Sequence, residues 1–588
     1  MKILTLLIFL IFLNNKGFSN EVEVIELHEN KSLDQIVLDK IDDDISSDED
    51  LTTINASDEI VSDEIISDPD NESKIEEVIE QDNFWSNITS DDLKNYLNNS
   101  KSINSKTVQK EFYNFLENAN LDYNVKKDRD IFYQIINYFY ETGNISKSYN
   151  LIKLRDFSND ENISYYYSIE INYLLSTFQL DKVCLLKNDL NENILLENFL
   201  LDKIDIFCLV LQNQLTEAEL LNSILLETEK QTDINFQNLY QKLIINDQED
   251  EAEKIIFNNL KSTDLIFLYS AMARIAELPL SEDFLKIDSK NLSIPIILNQ
   301  ASPLGLRIMA ANESFNNNDI SIDSLAALYQ SVDFTSNQLN NPENTIKELT
   351  NNKELLMAFY FQLINIQIFP SERLAALINF WEFAKEQNLE EIAYSLTYKI
   401  IQSIEISSDN LEFSSQIATS YIYNNDLDRA QDWVAFYENS KSEDETSSYI
   451  KILLSLYSSQ DIDSLIDVIT KNFDKFSNSN NKYSEELIFV LFDLLNKKEK
   501  KYLSKNYQDI FDDRLSPSIY ISESILNSIE NNNQDKFLLY STISLNNRHW
   551  PDIHPNHLKL IIGGYLDYNN GELIKDLIIE IFKSYKIL

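Results

Sequence analysis

Glycine is scarce in this sequence. Its 588 residues include six glycines, and their positions do not allow the loops that cradle phosphates or the nucleophile elbow of serine hydrolases. Enzymes that depend on those glycine motifs are therefore excluded. Long segments with periodic apolar residues and little glycine or proline favour a predominantly helical protein.

Long apolar runs are also missing, except at the N-terminus. Lys2 precedes the apolar stretch Ile3 to Leu13, and the small residues Gly17 and Ser19 follow it, an order typical of a signal peptide. That stretch is shorter than the roughly 20 residues of a bilayer-spanning helix. We therefore expect residues 1–19 to be a signal peptide, with export to the periplasm and no membrane insertion after its removal. An uncleaved N-terminal anchor is the alternative.

Positive charge is in short supply. The formal net charge is −48, and residues 21–82 alone contain 23 acidic and 3 basic residues. Such a segment repels itself and has too few apolar residues for a core, so residues 20–82 are predicted to be a disordered acidic linker. A tether that recruits a basic partner or divalent cations is the alternative. Because no basic stripe is present to neutralise phosphates, we expect no nucleic-acid partner.

The stretch Leu411 to Tyr437 has the pattern of a complete helical hairpin. Apolar residues recur every three or four positions in both halves, and Asn424-Asn425-Asp426 supplies turn chemistry between them. Ala418 and Ala430 are small residues that would let the two helices approach closely. A single hairpin buries one side of itself, so it needs neighbours.

The turn pattern of this hairpin recurs along the chain. It consists of a turn residue, an apolar residue two positions later and, in the stronger copies, a small residue five positions later. Complete or partial copies place turns at Gly143, Phe178, Asn213, Gln387, Asn425, Gln460 and Gly571, in units of about 35 to 38 residues. Repeats of this length are typical of paired-helix solenoids, so the predicted fold is all-α, an α-solenoid of degenerate helical hairpins.

This arrangement resembles tetratricopeptide-like repeats. Small residues recur seven positions before the turn, at Ala418 and Gly564. In tetratricopeptide-like proteins, small residues lie where the two helices of a hairpin come closest, and aromatic residues fill the spaces between hairpins. The resemblance implies a binding groove rather than a reaction.

A second resemblance is to a group of uncharacterised exported alphaproteobacterial proteins, some of which are labelled antifreeze glycopeptide polyprotein. The segments that carry it are Phe84-Trp85, Asp91-Asp92-Leu93, the hairpins of Cys184 and Cys208, and His554-Pro555. That label implies little about function here, because the chain has no Ala-Ala-Thr repeats and no regular threonine ladder to match an ice lattice.

Prolines concentrate in the middle of the folded chain, at Pro279, Pro295, Pro303, Pro342 and Pro370. Proline tends to end a helix, so residues 275–370 are predicted to be an irregular helical connection. It would join an N-terminal array at 83–274 to a C-terminal array at 371–588. A change of curvature there would create a binding cleft, and a plain longer connection is the alternative.

Cys184 and Cys208 are the only cysteines. They fall on the second helix of one predicted hairpin and the first helix of the next, which pack together in such arrays. In an exported protein this pair is expected to form a disulfide. Two buried thiols acting as small apolar residues are the alternative.

Three of the four histidines crowd near one carboxylate, and the weak metal-ligand candidates are His549, Asp552, His554 and His557. Imidazole and carboxylate are zinc ligands. However, the spacing matches no standard metal motif, and the neighbouring prolines indicate an extended approach to the last hairpin. Asn556 is expected to cap the following helix at about His557. We therefore predict no metal and no cofactor.

Function follows from this architecture only in general terms. Carboxylate pairs are so frequent in an acidic chain that they do not indicate catalysis, and we do not expect an enzyme. The predicted function is an exported scaffold or adaptor that binds a protein or peptide partner on its concave surface. The alternatives are an envelope enzyme or regulatory subunit acting on cell-wall material, and a passive structural or storage role.

Overall fold

The computed structural model describes residues 84–155, 157, 160–189, 196–244, 257, 260–261, 265–440, 449–454, 482–495, 514–568, 571–586 and 588. The predicted signal peptide and acidic linker lie outside these ranges. Within them the chain is all-α, with isolated β-bridges at Ile103–Asn546 and Leu515–Ile553 and no strand. None of the described helices combines the length and the apolarity needed to cross a membrane.

The helices are numbered in chain order. The N-terminal part contains α1 Phe84–Asn87, α2 Ser90–Asn98, α3 Lys106–Glu117, α4 Lys126–Glu141, α5 Ile145–Lys153, α6 Ile163–Ser176, α7 Leu180–Asp189, α8 Leu200–Leu211, α9 Leu215–Thr228 and α10 Ile234–Ile244. The middle part contains α11 Ile266–Ile275, α12 Glu282–Ile287, α13 Ser293–Leu298, α14 Leu304–Asn316, α15 Ile322–Gln330, α16 Ser336–Asn340, α17 Pro342–Leu349 and α18 Lys353–Ile366.

The C-terminal part contains α19 Pro370–Glu386, α20 Glu390–Ile401, α21 Ser414–Tyr423, α22 Leu427–Ser440, α23 Lys482–Leu495, α24 Ile519–Glu530, α25 Gln534–Leu545, α26 Pro555–Asp567 and α27 Gly571–Ser584. Short 3-10 helices lie at Glu197–Phe199, Ser408–Phe413 and Trp550–Asp552.

Many of the helices end in the same way, with one residue in the left-handed conformation. At eight such turns in the described chain, the next amide donates to the carbonyl five residues earlier at 2.8 to 2.9 Å, as in a Schellman motif. The left-handed residues are Gly143, Phe178, Asn213, Glu277, Asn318, Asn388, Asn425 and Asn532. Asparagine fills five of these positions because its short polar side chain tolerates a conformation that glycine usually supplies.

The structure confirms the turns that the repeat pattern predicts at Gly143, Phe178, Asn213 and Asn425. The prediction at Gln387 is wrong by one residue, because Asn388 takes the left-handed conformation, with φ 57°. The pattern also misses the turns at Asn318 and Asn532. Asp323 stands where the pattern requires a small residue five positions after Asn318, and Gln534 stands where it requires an apolar residue two positions after Asn532. The turn predicted at Gln460 lies outside the described residues.

The hairpin predicted from Leu411 to Tyr437 is present as α21 and α22. Ala418 and Ala430 are fully buried, so both small residues lie where the two helices pack. Asn425 has φ 58°, and the amide of Asp426 donates to the carbonyl of Tyr421 at 2.9 Å. The turn therefore completes the hydrogen bonding of the first helix.

Three of the five prolines of the middle part lie at the start of a helix. Pro342 and Pro370 are the first residues of α17 and α19, and Pro303 is the N-cap of α14. Proline suits the start of a helix because a first-turn amide has no partner within its own helix and proline lacks that amide. The preceding helices α16 and α18 end shortly before Pro342 and Pro370, at Asn340 and Ile366. Between Pro303 and Pro342, α14 and α15 form a hairpin whose turn at Asn318 matches those on either side.

The two ends of the described chain meet. Helix α3 packs against α25 and α27, and the amide of Ser102 donates to the side-chain oxygen of Asn546 at 2.8 Å. The Glu580 carboxylate accepts hydrogen bonds from the Thr107 amide at 2.7 Å and from the Trp550 indole at 2.9 Å. Helix α3 therefore covers the last hairpins, and most buried apolar residues belong to one continuous cluster.

Candidate functional site

Helices α2 and α4 lie side by side and run in the same direction. The Ser90 hydroxyl, at the start of α2, donates to the carbonyl of Asp130 near the start of α4 at 3.2 Å. The Tyr138 hydroxyl, near the end of α4, donates to the carbonyl of Ser100 just after α2 at 2.7 Å. The two helices are therefore parallel neighbours, an arrangement that forms one face of a solenoid.

A cavity of about 230 Å³ opens between these two helices. We name it the α2–α4 groove, and its lining residues are Lys94, Leu97, Asn98, Lys101, Tyr133, Gln134, Asn137, Tyr138 and Glu141. Spacings of three and four residues put each set on one side of its helix. The groove thus combines ammonium, carboxamide and phenol groups with a single carboxylate.

The charges of the groove are only partly paired. Lys101 Nζ lies 2.5 Å from Glu141 Oε2. Partial burial by itself would raise the pKa of the Glu141 carboxyl, but the hydrogen bond from Lys101 and the positive charge nearby outweigh it and hold that pKa below its usual value. Lys94 has no ion-pair partner among the residues that the structure describes, so its ammonium can meet an external group.

The carboxamides of the groove are also partly unpaired. Asn137 Oδ1 accepts a hydrogen bond from the Tyr165 hydroxyl at 2.8 Å, which links α4 to α6. The side chains of Asn98 and Gln134 make no hydrogen bond within the described chain. Each can donate and accept at the same time, because a carboxamide carries both kinds of group.

Tyrosines fix the face next to the groove. The Tyr165 ring lies 5.3 Å from that of Tyr133 and 6.3 Å from that of Tyr140. The Asn172 amide donates to the Tyr140 hydroxyl at 3.0 Å. Burial raises the pKa of Tyr140 to about 12, although that hydrogen bond acts against the rise. The Tyr140 phenol is therefore neutral at physiological pH, and the three rings hold α4 and α6 in register.

Cys184 and Cys208 form a disulfide in the structure, with their Cα atoms 5.8 Å apart. Cys184 is on α7 and Cys208 on α8, the second helix of one hairpin and the first of the next. The bond joins two successive hairpins and lies outside the lining of the α2–α4 groove.

The four weak metal candidates have separate structural roles. His549 is the N-cap of the 3-10 helix that contains Asp552. His554 is the N-cap of α26, and its Nδ1 accepts the amide of Asn556 at 3.2 Å. The predicted cap at Asn556 is therefore wrong, because the helix already begins at Pro555, a residue suited to its first position. Across the described ranges, no three His, Cys, Asp or Glu residues are grouped so that they could hold a metal ion.

His557 is buried rather than available as a ligand. It is 3% exposed, and its Nε2 lies 2.9 Å from the Ser544 hydroxyl oxygen. Burial, followed by the charges of Arg548 and His554, lowers the pKa of His557 to about 3. The imidazole is therefore neutral and belongs to the packing beneath the contact between the chain ends.

Sequence reasoning did not find the α2–α4 groove. Its residues are common types on helix surfaces, and the one available signal is the recurrence of Lys94 and Asn98 along one side of α2, with Lys101 just after the helix. No family model, curated protein or solved structure matches the chain, so its function has to be inferred from the groove itself.

Proposed function

We propose that the protein is an exported, tetratricopeptide-like scaffold or adaptor of the cell envelope that holds an extended segment of a partner protein in the α2–α4 groove. The observation that carries this proposal is one cavity lined by Lys94, Asn98 and Gln134, whose side chains make no ion pair or hydrogen bond with any described residue. An extended peptide presents amide donors and carbonyl acceptors in alternation, and carboxamides can pair with both.

Charge favours this part of the chain for a partner that carries a carboxylate. Residues 83–160 contain ten acidic and ten basic residues, whereas residues 161–588 contain 64 acidic and 34 basic residues. A carboxylate is therefore repelled less near the groove than over the rest of the folded chain. The Lys94 ammonium would form a charge-assisted hydrogen bond with such a group.

Site-specific photo-cross-linking in cells tests the proposal, with a photoreactive residue at position 98 or, in a matched control, at position 95. Asn98 and Asn95 are the same residue type on the same helix and both are exposed, but only Asn98 lines the groove. We expect a discrete protein adduct from position 98 and none from position 95. Equal adducts at both positions, or none at either, would overturn the groove as the binding surface.

The export component is tested separately by mass spectrometry of the protein recovered from the periplasm. A mature chain that begins at Asn20 is expected if residues 1–19 are a signal peptide. Recovery of the intact chain in the cytoplasm would contradict export and would leave the groove proposal to the cross-linking result.

A further inference from the structure

Helix α1 lies at one end of the α2–α4 groove. Phe84 and Trp85 are each 6% exposed, and the Trp85 ring stacks on that of Phe115 with their centroids 4.8 Å apart. The ammonium of Lys127, in the first turn of α4, donates to the carbonyl of Ser86 at 2.6 Å. The segment before Phe84 is therefore joined to the fold at the end of the groove where α2 and α4 begin.

The part of the acidic linker closest to Phe84 is long enough to reach the whole groove. A chain of 13 residues, such as residues 70–82, can extend about 40 Å at roughly 3.3 Å per residue. Helix α2 has 9 residues, which makes it about 13 Å long. Residues 70–82 contain six acidic residues and one basic residue, so their carboxylates can be placed anywhere along the groove.

The groove suits carboxylates better than the rest of the described fold does. Its lining includes two ammonium groups, three carboxamides and a single carboxylate, Glu141, which already pairs with Lys101. Asp91 and Asp92, in the first turn of α2, do not line it. Acidic and basic residues are equal in number over residues 83–160, whereas acidic residues are in large excess over residues 161–588. An acidic segment is therefore repelled from most of the fold but not from the groove.

We propose that residues 70–82 occupy the α2–α4 groove of their own chain when no partner is bound. Their carboxylates pair with the Lys94 ammonium and accept hydrogen bonds from the carboxamides of Asn98 and Gln134. Because the segment is joined to α1, its effective concentration at the groove is on the order of 1 mM, so a weak contact is populated. A partner then has to displace the segment. That consequence rests on the proposed function, whereas the contact itself does not.

Photo-cross-linking of the purified mature chain, with no partner present, tests the contact. A photoreactive residue at position 98 is expected to give an adduct within one chain, which peptide mass spectrometry places in residues 70–82. The same residue at position 95, exposed on α2 but outside the groove lining, is expected to give none. About 1 M salt, where the screening length is about 3 Å, should abolish the adduct. Equal adducts from positions 95 and 98, or an adduct from position 98 to another segment or a second copy, would overturn the proposal.

Two charge-neutralised variants show whether the segment next to the fold is responsible. The first carries Glu76→Gln, Glu77→Gln, Glu80→Gln and Asp82→Asn, and the matched control carries Asp42→Asn, Asp43→Asn, Asp44→Asn and Asp48→Asn. The first is expected to lower the adduct yield about tenfold or more, since each exposed ion pair contributes a little, and the control should stay within about twofold. Equal losses in the two variants would show diffuse charge attraction and overturn the assignment to residues 70–82.

Cross-linking in cells separates this contact from the proposed function. In the first variant, the partner adduct from position 98 is expected to rise about threefold or more, because a competitor has been removed; an unchanged yield would contradict displacement by the partner. A partner adduct in cells without the adduct to residues 70–82 in the purified chain would overturn the contact and support the proposed function. The reverse result would support the contact and overturn the proposed function.

Discussion

Replacing Lys203 with methionine is expected to loosen the hairpins around α8. Lys203 is 1% exposed, and its ammonium lies 3.0 Å from Glu229 Oε1 and 2.7 Å from Asp233 Oδ2. Asp233 also accepts the hydroxyl of Tyr269 at 2.7 Å and caps α10 through the amide of Phe236 at 3.0 Å. One buried cation therefore ties α8 to the turn between α9 and α10.

The size of the effect follows from what the substitution leaves behind. Methionine retains most of the apolar stem of lysine, so little packing is lost. The side chains of Glu229 and Asp233, 8% and 13% exposed, remain buried without their cation. Breaking a buried ion pair in this way costs about 3–5 kcal/mol. Adding Glu229→Gln and Asp233→Asn removes the leftover charges and is expected to recover most of that loss.

Hydrogen exchange measured by mass spectrometry is the suitable assay, because long repeat arrays open locally rather than as one unit. Amides of α8 and α10 are expected to exchange roughly 2 × 10²- to 5 × 10³-fold faster in Lys203→Met. Amides of α21 and α22, in a distant hairpin, serve as the internal control. If the amides of α8 and α10 exchange within about threefold of their rate in the unmodified protein, the loss of stability is less than about 1 kcal/mol and the reasoning is refuted. A triple variant no more stable than Lys203→Met would also refute it.

Three further predictions concern stability. Gly564→Ala is expected to lower the free energy of unfolding by about 1–3 kcal/mol, because the new Cβ would lie 2.2 Å from Cε2 of the buried Phe537. Gly563→Ala is the control, since its Cβ would meet only Cδ2 of Leu494 at 3.3 Å and should change stability by less than about 1 kcal/mol. Thermal melting compares the two variants. Burial, then the charge of Arg548, lowers the pKa of His557 to about 3 in the folded protein. Below about pH 6.5 His557 therefore gains a proton in the unfolded chain but not in the folded one, and the protein becomes less stable. Urea titrations should show the protein losing about 2 kcal/mol more than His557→Gln between pH 7 and pH 5, and equal losses would contradict this account. Reducing the disulfide, which spans 24 residues, should cost about 3.5 kcal/mol in the chain-entropy model, seen as faster exchange in α7 and α8.

The hairpins could be predicted because their turns restrict residue choice locally. The left-handed backbone conformation favours glycine or asparagine, as at Gly143, Asn213 and Asn425. Phe178 shows the limit of that rule, since a bulky side chain in this conformation costs on the order of 1–2 kcal/mol. Its ring lies 3.9 Å from the guanidinium of Arg274 on α11. That distant contact offsets part of the strain, and no local pattern reveals it.

The rest of the structure left no comparable signal in the sequence. The contact of Ser102 with Asn546 joins residues 444 positions apart, and serine and asparagine are equally suited to open loops. Rarity drew attention to the cysteine and histidine residues, but the α2–α4 groove is built from lysine and carboxamide side chains. On a single amphipathic helix those residues look like an ordinary solvated face. Only the pairing of α2 with α4 shows that they converge.

The contact between the chain ends decides which surfaces are left for a partner. An open solenoid has two apolar ends that need polar caps, whereas here α3 covers α25 and α27. The Glu580 carboxylate strengthens this contact, because it accepts the Thr107 amide in the first turn of α3, where the helix dipole favours an anion. Since the surface between α3, α25 and α27 is already occupied, a second copy cannot stack there to extend the array. If the proposed scaffold role is correct, its partner is therefore expected along the side of the hairpins, where the α2–α4 groove lies.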